Sequence, residues 1–292
     1  MDRSLISDAD LRRGHARLVY RLVLWGLAAA FVVIFFFPLY WMVTGAVKTP
    51  VELAQPTPTL VPHSWHPGTY VDAWRKLEIG RFLLNTAFYA LGGWLIQLVV
   101  DVAAAYALSK LRPRFGKLIL GGMLASLMLP AAALLVPSYL TVADVPLLHL
   151  NLLNTPWALW LPGAANAFNI YVLKRFFDRI PDDLLDSASI DGAGRLRLLW
   201  HVILPLSRPV LAVVSIFAVV GAWKDFLWPL LVLQDPDKQT LSVALSRLSF
   251  TGYVTQNEMF AGLAIASIPM VVVFAVFQRS ILSGLSAGAL KG

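Results

Sequence analysis

The sequence predicts an all-α protein that crosses a membrane six times. Of its 292 residues, 58% are hydrophobic and only 14% are charged, a composition typical of membrane proteins. Six apolar runs approach the roughly 20 residues that a helix needs to cross a bilayer. The runs lack the alternating pattern of a β-barrel, the other fold that satisfies its backbone in lipid. The chain has no cysteine, so it offers neither disulfides nor thiolate metal sites.

The six runs lie at about residues 18–43, 82–108, 118–140, 156–177, 206–233 and 259–277. Pro38 lies near the outer end of the first run, Pro130 and Pro137 inside the third run predict kinks, and Pro269 lies inside the sixth. The first run is too long for the h-region of a signal peptide, so we expect an uncleaved first span. We expect one transmembrane domain over residues 1–292, with its core spans at about 82–283.

Lysine and arginine are unevenly distributed, and their distribution predicts the orientation of the chain. Seventeen of the 24 lie in residues 1–21, 109–117, 174–208 and 278–292. The connections on the opposite side hold six. Both termini and the connection between the fourth and fifth runs are therefore predicted to be cytoplasmic. This topology explains the net charge of +7, and we expect contacts with membrane lipid but none with nucleic acid.

The first outer connection, residues 44–81, contains five prolines. We expect it to be extended and irregular, and not a hidden span. His63 and His66 lie within it and could be interpreted as a metal pair. Two solvated histidines in a loop are the simpler interpretation, and we expect no metal.

A charged stretch at residues 180–209 separates two apolar runs. Pro181 suits the start of a helix, and Asp182 and Asp183 favour a helix N-terminus. Gly192 then predicts a turn, followed by a second short helix that ends at the entry to the fifth run. A charged segment of this kind between membrane spans is expected to contact something in water.

The same stretch resembles the EAA loop of ABC importer permeases, whose pattern is Glu-Ala-Ala, three residues, Gly, nine residues, Ile, any residue, Leu-Pro. Four positions match outright, and Asp, Ser and Val replace Glu, the first Ala and Ile. The flanking stretches and the chain end resemble the carbohydrate-importer branch, and within it the smaller, maltose-G-type permease, over about residues 57–292. The motif positions, with the aspartate that precedes the glycine, are Asp186, Ser187, Ala188, Asp191, Gly192, Val202, Leu204 and Pro205.

This resemblance implies a MetI-like type I ABC importer permease fold that forms half of a sugar translocation pathway. It implies a larger, maltose-F-like permease, two copies of a cytoplasmic ABC ATPase and an extracytoplasmic sugar-binding protein as partners. The residues of the EAA loop, within a cytoplasmic coupling loop at about 178–209, would dock into a cleft on the ATPase. ATP and magnesium would be bound by that ATPase, so no cofactor and no catalytic residue is expected on this chain. The location implied is a bacterial or archaeal cytoplasmic membrane.

Several polar and aromatic residues fall inside the predicted spans, where a charge costs about 2.5–3.5 kcal/mol on insertion scales. They have two interpretations: hydrogen bonds between helices, or the lining of the transport pathway. The first is favoured for Asp101, Asn166 and Asn169, although both asparagines are also candidates for the pathway. The fifth run favours the second, because aromatic rings beside hydrogen-bonding groups suit sugars, and Pro229 is expected to break its helix. The candidates in the fifth run are Trp223, Lys224, Asp225 and Trp228.

The tail, residues 278–292, would be expected to be a disordered terminus in a generic membrane protein. Its likeness to the maltose-G-type ending implies instead that it reaches between the two ATPase subunits. The residues implied in these contacts are Gln278, Gly284, Gly288 and Lys291.

Other functional classes lack support in the sequence. There is no phosphate loop, His-Glu-x-x-His zinc motif or Gly-x-Ser-x-Gly elbow, which argues against a membrane enzyme and against ATP hydrolysis by this chain alone. A secondary transporter often carries inverted repeats; we see none, and that class leaves the EAA spacing unexplained. Among importers, glycerol phosphate or another polyol derivative is the main alternative cargo.

Overall fold

Helices make up the regular structure of the chain. The computed structural model describes the backbone of residues 14–289 and the side chains of residues 15 and 17–278, and that range contains no β-sheet. The helical fold class predicted from the sequence is confirmed. In chain order the α-helices are α1 (Gly14–Val47), α2 (Pro50–Leu53), α3 (Gly68–Lys76), α4 (Ile79–Tyr106), α5 (Gly116–Ser126), α6 (Ala131–Ala143), α7 (Trp157–Trp160), α8 (Ala167–Phe177), α9 (Asp182–Ile190), α10 (Arg195–Leu198), α11 (Leu204–Leu206), α12 (Arg208–Lys224), α13 (Leu227–Val232), α14 (Leu241–Ser249) and α15 (Gln256–Ala289).

The chain divides into two compact units. The first comprises residues 1–76 and 254–265, and the second comprises residues 77–253 and 266–292. In the first unit α1 exposes apolar side chains along most of its length, as expected of a helix that faces lipid or another chain. At Gly45 a Cβ atom would lie 2.6 Å from the Phe260 ring, so only glycine permits this close approach. An ion pair of 2.9 Å also joins Lys76 to Glu258 in this unit.

The outer connection is more ordered than predicted, because α2 and α3 form within it around a buried carboxylate. Glu52 accepts hydrogen bonds from the Thr59 hydroxyl (2.6 Å) and the backbone N–H of His63 (3.1 Å). These bonds, the first above all, lower the pKa of the Glu52 carboxyl. The buried Lys48 ammonium donates to the Thr59 carbonyl. The expectation of an irregular connection was therefore wrong in part, since these long-range contacts outweigh the prolines.

In the second unit α4 is the central helix and packs against α7, α8, α12 and α14. It continues as a π-helix, Ala107–Leu111, and ends at Arg112, whose backbone is left-handed (φ 47°). The apolar core forms where the end of α4 meets α8 and α12, and it excludes water from these helix faces. Its buried members include Val102, Ala105, Leu108, Ile170, Leu173, Phe177, Ile180, Ile203 and Val214.

The predicted spans differ in how continuous they are. Within the described residues, three helical stretches are long and apolar enough to cross a membrane: Arg17–Val47, Ile79–Leu111 and Gln256–Gln278. Two more runs are bent pairs of helices, α5 with α6 (107°) and Arg195–Leu206 with α12 (84°). The first bend lies just before Pro130, the N-cap residue of α6, where the sequence predicts a kink.

The fourth and fifth runs depart from the predicted continuous helices. The fourth forms α7 and α8, separated by six residues, because Asn166 begins α8 as its N-cap. In the fifth, the break falls at Asp225, whose backbone is extended (φ −66°, ψ 129°), and not at Pro229. Pro229 lies in the first turn of α13, where its missing N–H leaves no bond unmade. The position of the break was therefore predicted wrongly, by four residues.

Candidate functional site

The charged stretch forms a helix that is largely exposed. As predicted, α9 begins after Pro181 and carries Asp182 and Asp183 in its first turn. None of its residues is fully buried; Leu185 packs partly against the apolar core, whereas the apolar Ile190 is 86% exposed. A short helix with so little buried surface gains little stability from packing. The exposed Ile190 is free to contact another molecule.

Gly192 ends α9 in a left-handed turn. Its φ is +84°, a conformation that glycine adopts without steric cost. The N–H of Ala193 bonds to the Ala188 carbonyl, and that of Gly192 to the Ser189 carbonyl, both at 3.0 Å. This pair of bonds is a Schellman motif. A Cβ atom added at Gly192 would meet no atom of this chain within 4 Å, so the fold leaves the space above the turn open.

After the turn, the chain returns to the core. Leu199 and Ile203 are buried, whereas Leu196 is 73% and Trp200 65% exposed. The apolar residues of the second helix therefore lie on two faces, partly because residues 199–203 form a π-helix. The chain then bends at Ser207 before α12.

The EAA positions are distributed between this exposed helix and the core. Asp186, Ser187, Asp191 and Gly192 are exposed, and Ala188 is half-buried. Leu204 packs against the apolar core, and the neighbouring Pro205 is exposed. The first part of the motif thus lies at the surface, and its last part packs against the apolar core.

Residues 106–112, at the end of the second span, hold this segment by contacts that the sequence did not indicate. The Asp182 carboxylate accepts from Lys110 Nζ (2.8 Å) and from Arg112 Nη2 (3.1 Å). Lys110 Nζ also donates to the Ile180 carbonyl at 2.7 Å. At the other end of the segment, the Tyr106 hydroxyl donates to the Arg195 carbonyl at 2.9 Å. These partners lie 70 to 89 residues apart in the chain, and no sequence spacing relates them.

These ionic contacts keep two aspartates charged. The hydrogen bond from Lys110, followed by its charge, lowers the pKa of Asp182. Burial by itself would raise the pKa of Asp178, but bonds from Lys174 (2.8 Å) and Ser109 (2.7 Å) outweigh it and lower that pKa. Both carboxylates are consequently ionised near neutral pH.

A cavity of about 610 Å³ lies elsewhere in the second unit, between α4, α7, α8, α12 and α13. Its size is within the usual range for small-molecule sites, and so is its mixture of aromatic rings with a few polar groups. Four of its lining residues were predicted from the sequence as pathway candidates: Asn166, Asn169, Asp225 and Trp228. None of the other lining residues was predicted as a pathway candidate, and they include Tyr89, Trp94, Gln97, Trp160, Phe168 and Phe217.

A buried carboxylate shapes one wall of this cavity. Asp101 is 1% exposed and accepts from the backbone N–H of Asn166 at 2.8 Å. The side chains of Asn169 and Gln97 also hydrogen-bond to it. These contacts fix the start of α8 against α4, and they agree with the interpretation of Asp101 as a bond between helices. The sequence analysis missed Gln97, although its i, i+4 spacing from Asp101 is a signal that could have indicated this cluster.

The opposite wall is formed by the break in the fifth run. Asp225 accepts from the backbone N–H groups of Phe226 and Trp228, which begins the short helix α13. Trp228 Nε1 donates to the Ala158 carbonyl at 2.9 Å. Trp223 is half-buried and Lys224 is exposed, and neither is part of the described lining. The structure therefore brings together only two of the four candidates from this run.

Two further predictions concern the outer connection and the tail. His63 and His66 belong to no group of three or more potential ligands in the described part of the chain. In the tail, Gln278 donates to the Ala275 carbonyl at 3.1 Å, and α15 continues past Gly284 and Gly288 to Ala289. Lys291 lies outside the described residues.

Comparison with known proteins identifies the family. The family described as "Binding-protein-dependent transport system inner membrane component" matches residues 83–286, which include α9, the Gly192 turn and the described cavity lining. The chain belongs to this family. The permease is thus a membrane transport subunit of the ABC importer class and not an enzyme.

Relatives match the permease over most of its length. The sulfoquinovosyl glycerol transport system permease protein SmoH of Agrobacterium fabrum is 33% identical over 88% of this chain and 89% of its own. The diacetylchitobiose uptake system permease protein NgcG of Streptomyces coelicolor is 30% identical over 92% and 87%. The sn-glycerol-3-phosphate transport system permease protein UgpE of Yersinia pestis is 31% identical over 87% and 92%.

A solved structure supports the fold. The permease superposes on a chain of a bacterial ABC transporter that imports the acidic polysaccharide alginate, with a TM-score of 0.80. The match covers 94% of this chain and 98% of the other at 24% identity. This similarity confirms the MetI-like helical architecture.

Proposed function

We propose that the permease forms half of the pore of a sugar importer and couples to a separate ATPase through residues 178–209. The observation that carries this proposal is the exposed helix α9 with its left-handed Gly192 turn. An ordered helix that buries none of its residues and displays Ile190 is suited to a cleft on another protein. The bend between Arg195–Leu206 and α12 joins this segment directly to the fifth run.

A neutral sugar fits this chain's side of the pathway better than a phosphate ester does. Among the described lining residues of the cavity, Asp225 carries a carboxylate, and none is a lysine, arginine or histidine. Phosphates are normally bound by arginine, lysine or helix N-termini. The indole rings of Trp94, Trp160 and Trp228 instead match the apolar faces of sugar rings. The name of NgcG indicates a neutral disaccharide as the cargo of that relative. The name of SmoH indicates a sulfonated glycoside, and that of UgpE indicates glycerol phosphate, the alternative cargo here.

The remaining proposals concern assembly. A larger permease would supply the other half of the pore, two ATPase subunits would bind ATP and magnesium, and an extracytoplasmic binding protein would deliver the sugar. The bias of lysine and arginine supports cytoplasmic termini. The tail from Gln278, with Gly284, Gly288 and Lys291, would then lie on the ATPase side.

Purification of the tagged permease in mild detergent tests this function. We expect an ATPase and a second permease to co-purify in stoichiometric amounts, and a binding protein to associate with the complex. That binding protein is then titrated with diacetylchitobiose, an alginate oligosaccharide and sn-glycerol 3-phosphate. Tightest binding of the neutral glycoside supports the cargo proposal. Preference for glycerol phosphate overturns the cargo proposal but leaves the coupling function standing. Substrate accumulation by the permease without any ATPase overturns the coupling function.

A further inference from the structure

The exposed helix α9 needs an attachment through which its movement can reach the membrane bundle. Because its residues are at most partly buried, with Leu185 packed against the apolar core, it is linked to the bundle mainly by its chain ends and by the side chains that bind those ends. Residues 106–112 bond to both ends of the segment. Lys110 contacts Asp182 at the start of α9, and Tyr106 contacts the Arg195 carbonyl, where the chain turns back to the core. They belong to the second span, which is neither of the two spans covalently joined to the segment.

The grip at Asp182 depends on an unusual backbone. Lys110 and Arg112 are two residues apart, a spacing that places side chains on different faces of a regular α-helix. Here the helix widens into a π-helix and stops at Arg112 in the left-handed conformation. Both cations therefore reach the same carboxylate. A left-handed residue other than glycine costs conformational energy, which the surrounding contacts must offset.

Of the two cations that contact Asp182, Lys110 is the better placed to hold it. Its side chain is 7% exposed, and its ammonium bonds both to the Asp182 carboxylate (2.8 Å) and to the Ile180 carbonyl (2.7 Å). Arg112, by contrast, is 70% exposed, so solvent weakens its attraction to Asp182. Water competes less with the Lys110 contacts, and they hold the start of α9 in place.

The same helix reaches the cavity. Thr86, Tyr89, Gly93, Trp94 and Gln97 of α4 all line it. From residue 97 to residue 110 a helix extends about 20 Å, and α4 is unbroken over this length up to its π-helical end. A displacement applied at Lys110 would therefore be carried along a rigid element to the cavity wall.

We propose that Lys110, through Asp182, is a positioning residue that carries the movement of the ATPase-docked segment into the second span and so into the cavity. This inference rests on the proposed docking of the ATPase at residues 178–209. It adds a third span to the two that the segment joins covalently.

The test uses the complete complex in proteoliposomes, and it needs no transported substrate. Because the chain contains no cysteine, a single one introduced as Gln97→Cys reports on the α4 side of the cavity. Its rate of labelling by a maleimide is compared between nucleotide-free complex and complex trapped with ATP and vanadate. ATP hydrolysis and the amount of co-purified ATPase are measured in parallel.

Lys110→Met in this background is expected to retain the ATPase and its hydrolysis. The nucleotide-dependent change in labelling should fall by at least about fivefold, the lower end of a typical coupling between sites. Exchange of the two charges, Lys110→Asp with Asp182→Lys, should restore part of the change. The matched control is Arg114→Met, which removes an exposed cation of the same connection as Lys110, outside residues 178–209, and should alter neither measurement.

Three outcomes overturn the inference: an undiminished labelling change in Lys110→Met, loss of the ATPase from that variant, or an equal effect of Arg114→Met. Loss of the ATPase would assign Lys110 to the docking surface. If Lys110→Met does not fold, Tyr106→Phe removes only the bond to Arg195 and should reduce the change by about twofold or more; no reduction there is equally negative. Absence of an ATPase from the unmodified complex would instead contradict the proposed function.

Discussion

Residues 178–209, which we propose to couple to the ATPase, and the cavity both contain polar residues, but they use them in opposite ways. In the segment, Asp183 and Asp186 are exposed and make no ion pair with another described residue. At the cavity, Asp101 and Asp225 are occupied by backbone N–H groups of their own chain. The exposed aspartates Asp183 and Asp186 remain available to a partner protein, whereas Asp101 and Asp225 within the membrane are already hydrogen-bonded inside the chain.

This difference has a physical basis. Water satisfies an unpaired carboxylate at little cost, but in hydrocarbon each unsatisfied polar group costs several kcal/mol. The polar residues of the fourth and fifth runs consequently bond to the backbone at helix ends beside the cavity. Only their remaining hydrogen-bonding groups are available to a substrate. Substitutions in residues 178–209 should therefore alter the binding of a partner protein, whereas substitutions at the cavity should alter the shape of the cavity.

The largest effect is expected for Gly192→Asp. Aspartate tolerates the left-handed backbone better than most residues, and this chain leaves the space around the turn open. The variant should therefore insert into the membrane normally, yet lose uptake and retain the ATPase poorly, because the added side chain meets the partner. Uptake assays and the yield of co-purified ATPase measure this.

The control for this variant is Gly68→Asp, at an equally open glycine of the outer connection. It should keep the ATPase. If Gly192→Asp transports normally, or if both variants lose the ATPase equally, the assignment of the turn to a docking surface is wrong.

An intermediate effect is expected for Gly92→Ala at the cavity. A Cβ at this position would lie 2.3 Å from the Trp160 indole, which packs on α4 and donates to the Tyr89 carbonyl at 3.0 Å. Displacement of the ring should lower stability by about 1–3 kcal/mol, as overpacking usually does. Thermal unfolding in detergent measures the loss. Gly121→Ala, at a helical glycine with no neighbour within 4 Å, should not lower the melting temperature, and a similar decrease there would contradict the packing argument.

The smallest effect is expected for Trp228→Phe, which separates the two roles of this residue. The variant loses the hydrogen bond to Ala158, worth about 0.5–1.5 kcal/mol, but keeps an aromatic face for a sugar ring. We expect a small decrease in stability with uptake nearly unchanged, and a larger decrease in uptake for Trp228→Leu. Equal uptake by both variants would indicate that Trp228 only joins α13 to α7.

The sequence predicted the surface part of the function better than the membrane part. The EAA spacing located the helix, the glycine turn and the return to the core, because each depends on neighbouring residues. It did not indicate Lys110 or Tyr106, whose partners lie 70 to 89 residues away. Among the intramembrane candidates, composition alone could not separate Asp225, which lines the cavity, from Lys224, which is exposed outside the described lining.

The amino-acid sequence by itself determined the helical membrane class, the order of the apolar runs and the family, since these follow from hydropathy and local motifs. Only the tertiary structure decided where the fourth and fifth runs break, which polar residues share a cavity, and what holds the coupling segment. Those features depend on helices meeting across the bundle: Asp101 of α4 fixes the start of α8, and residues 106–112 grip a segment far along the chain. Contacts of this kind arise only once the helices have packed.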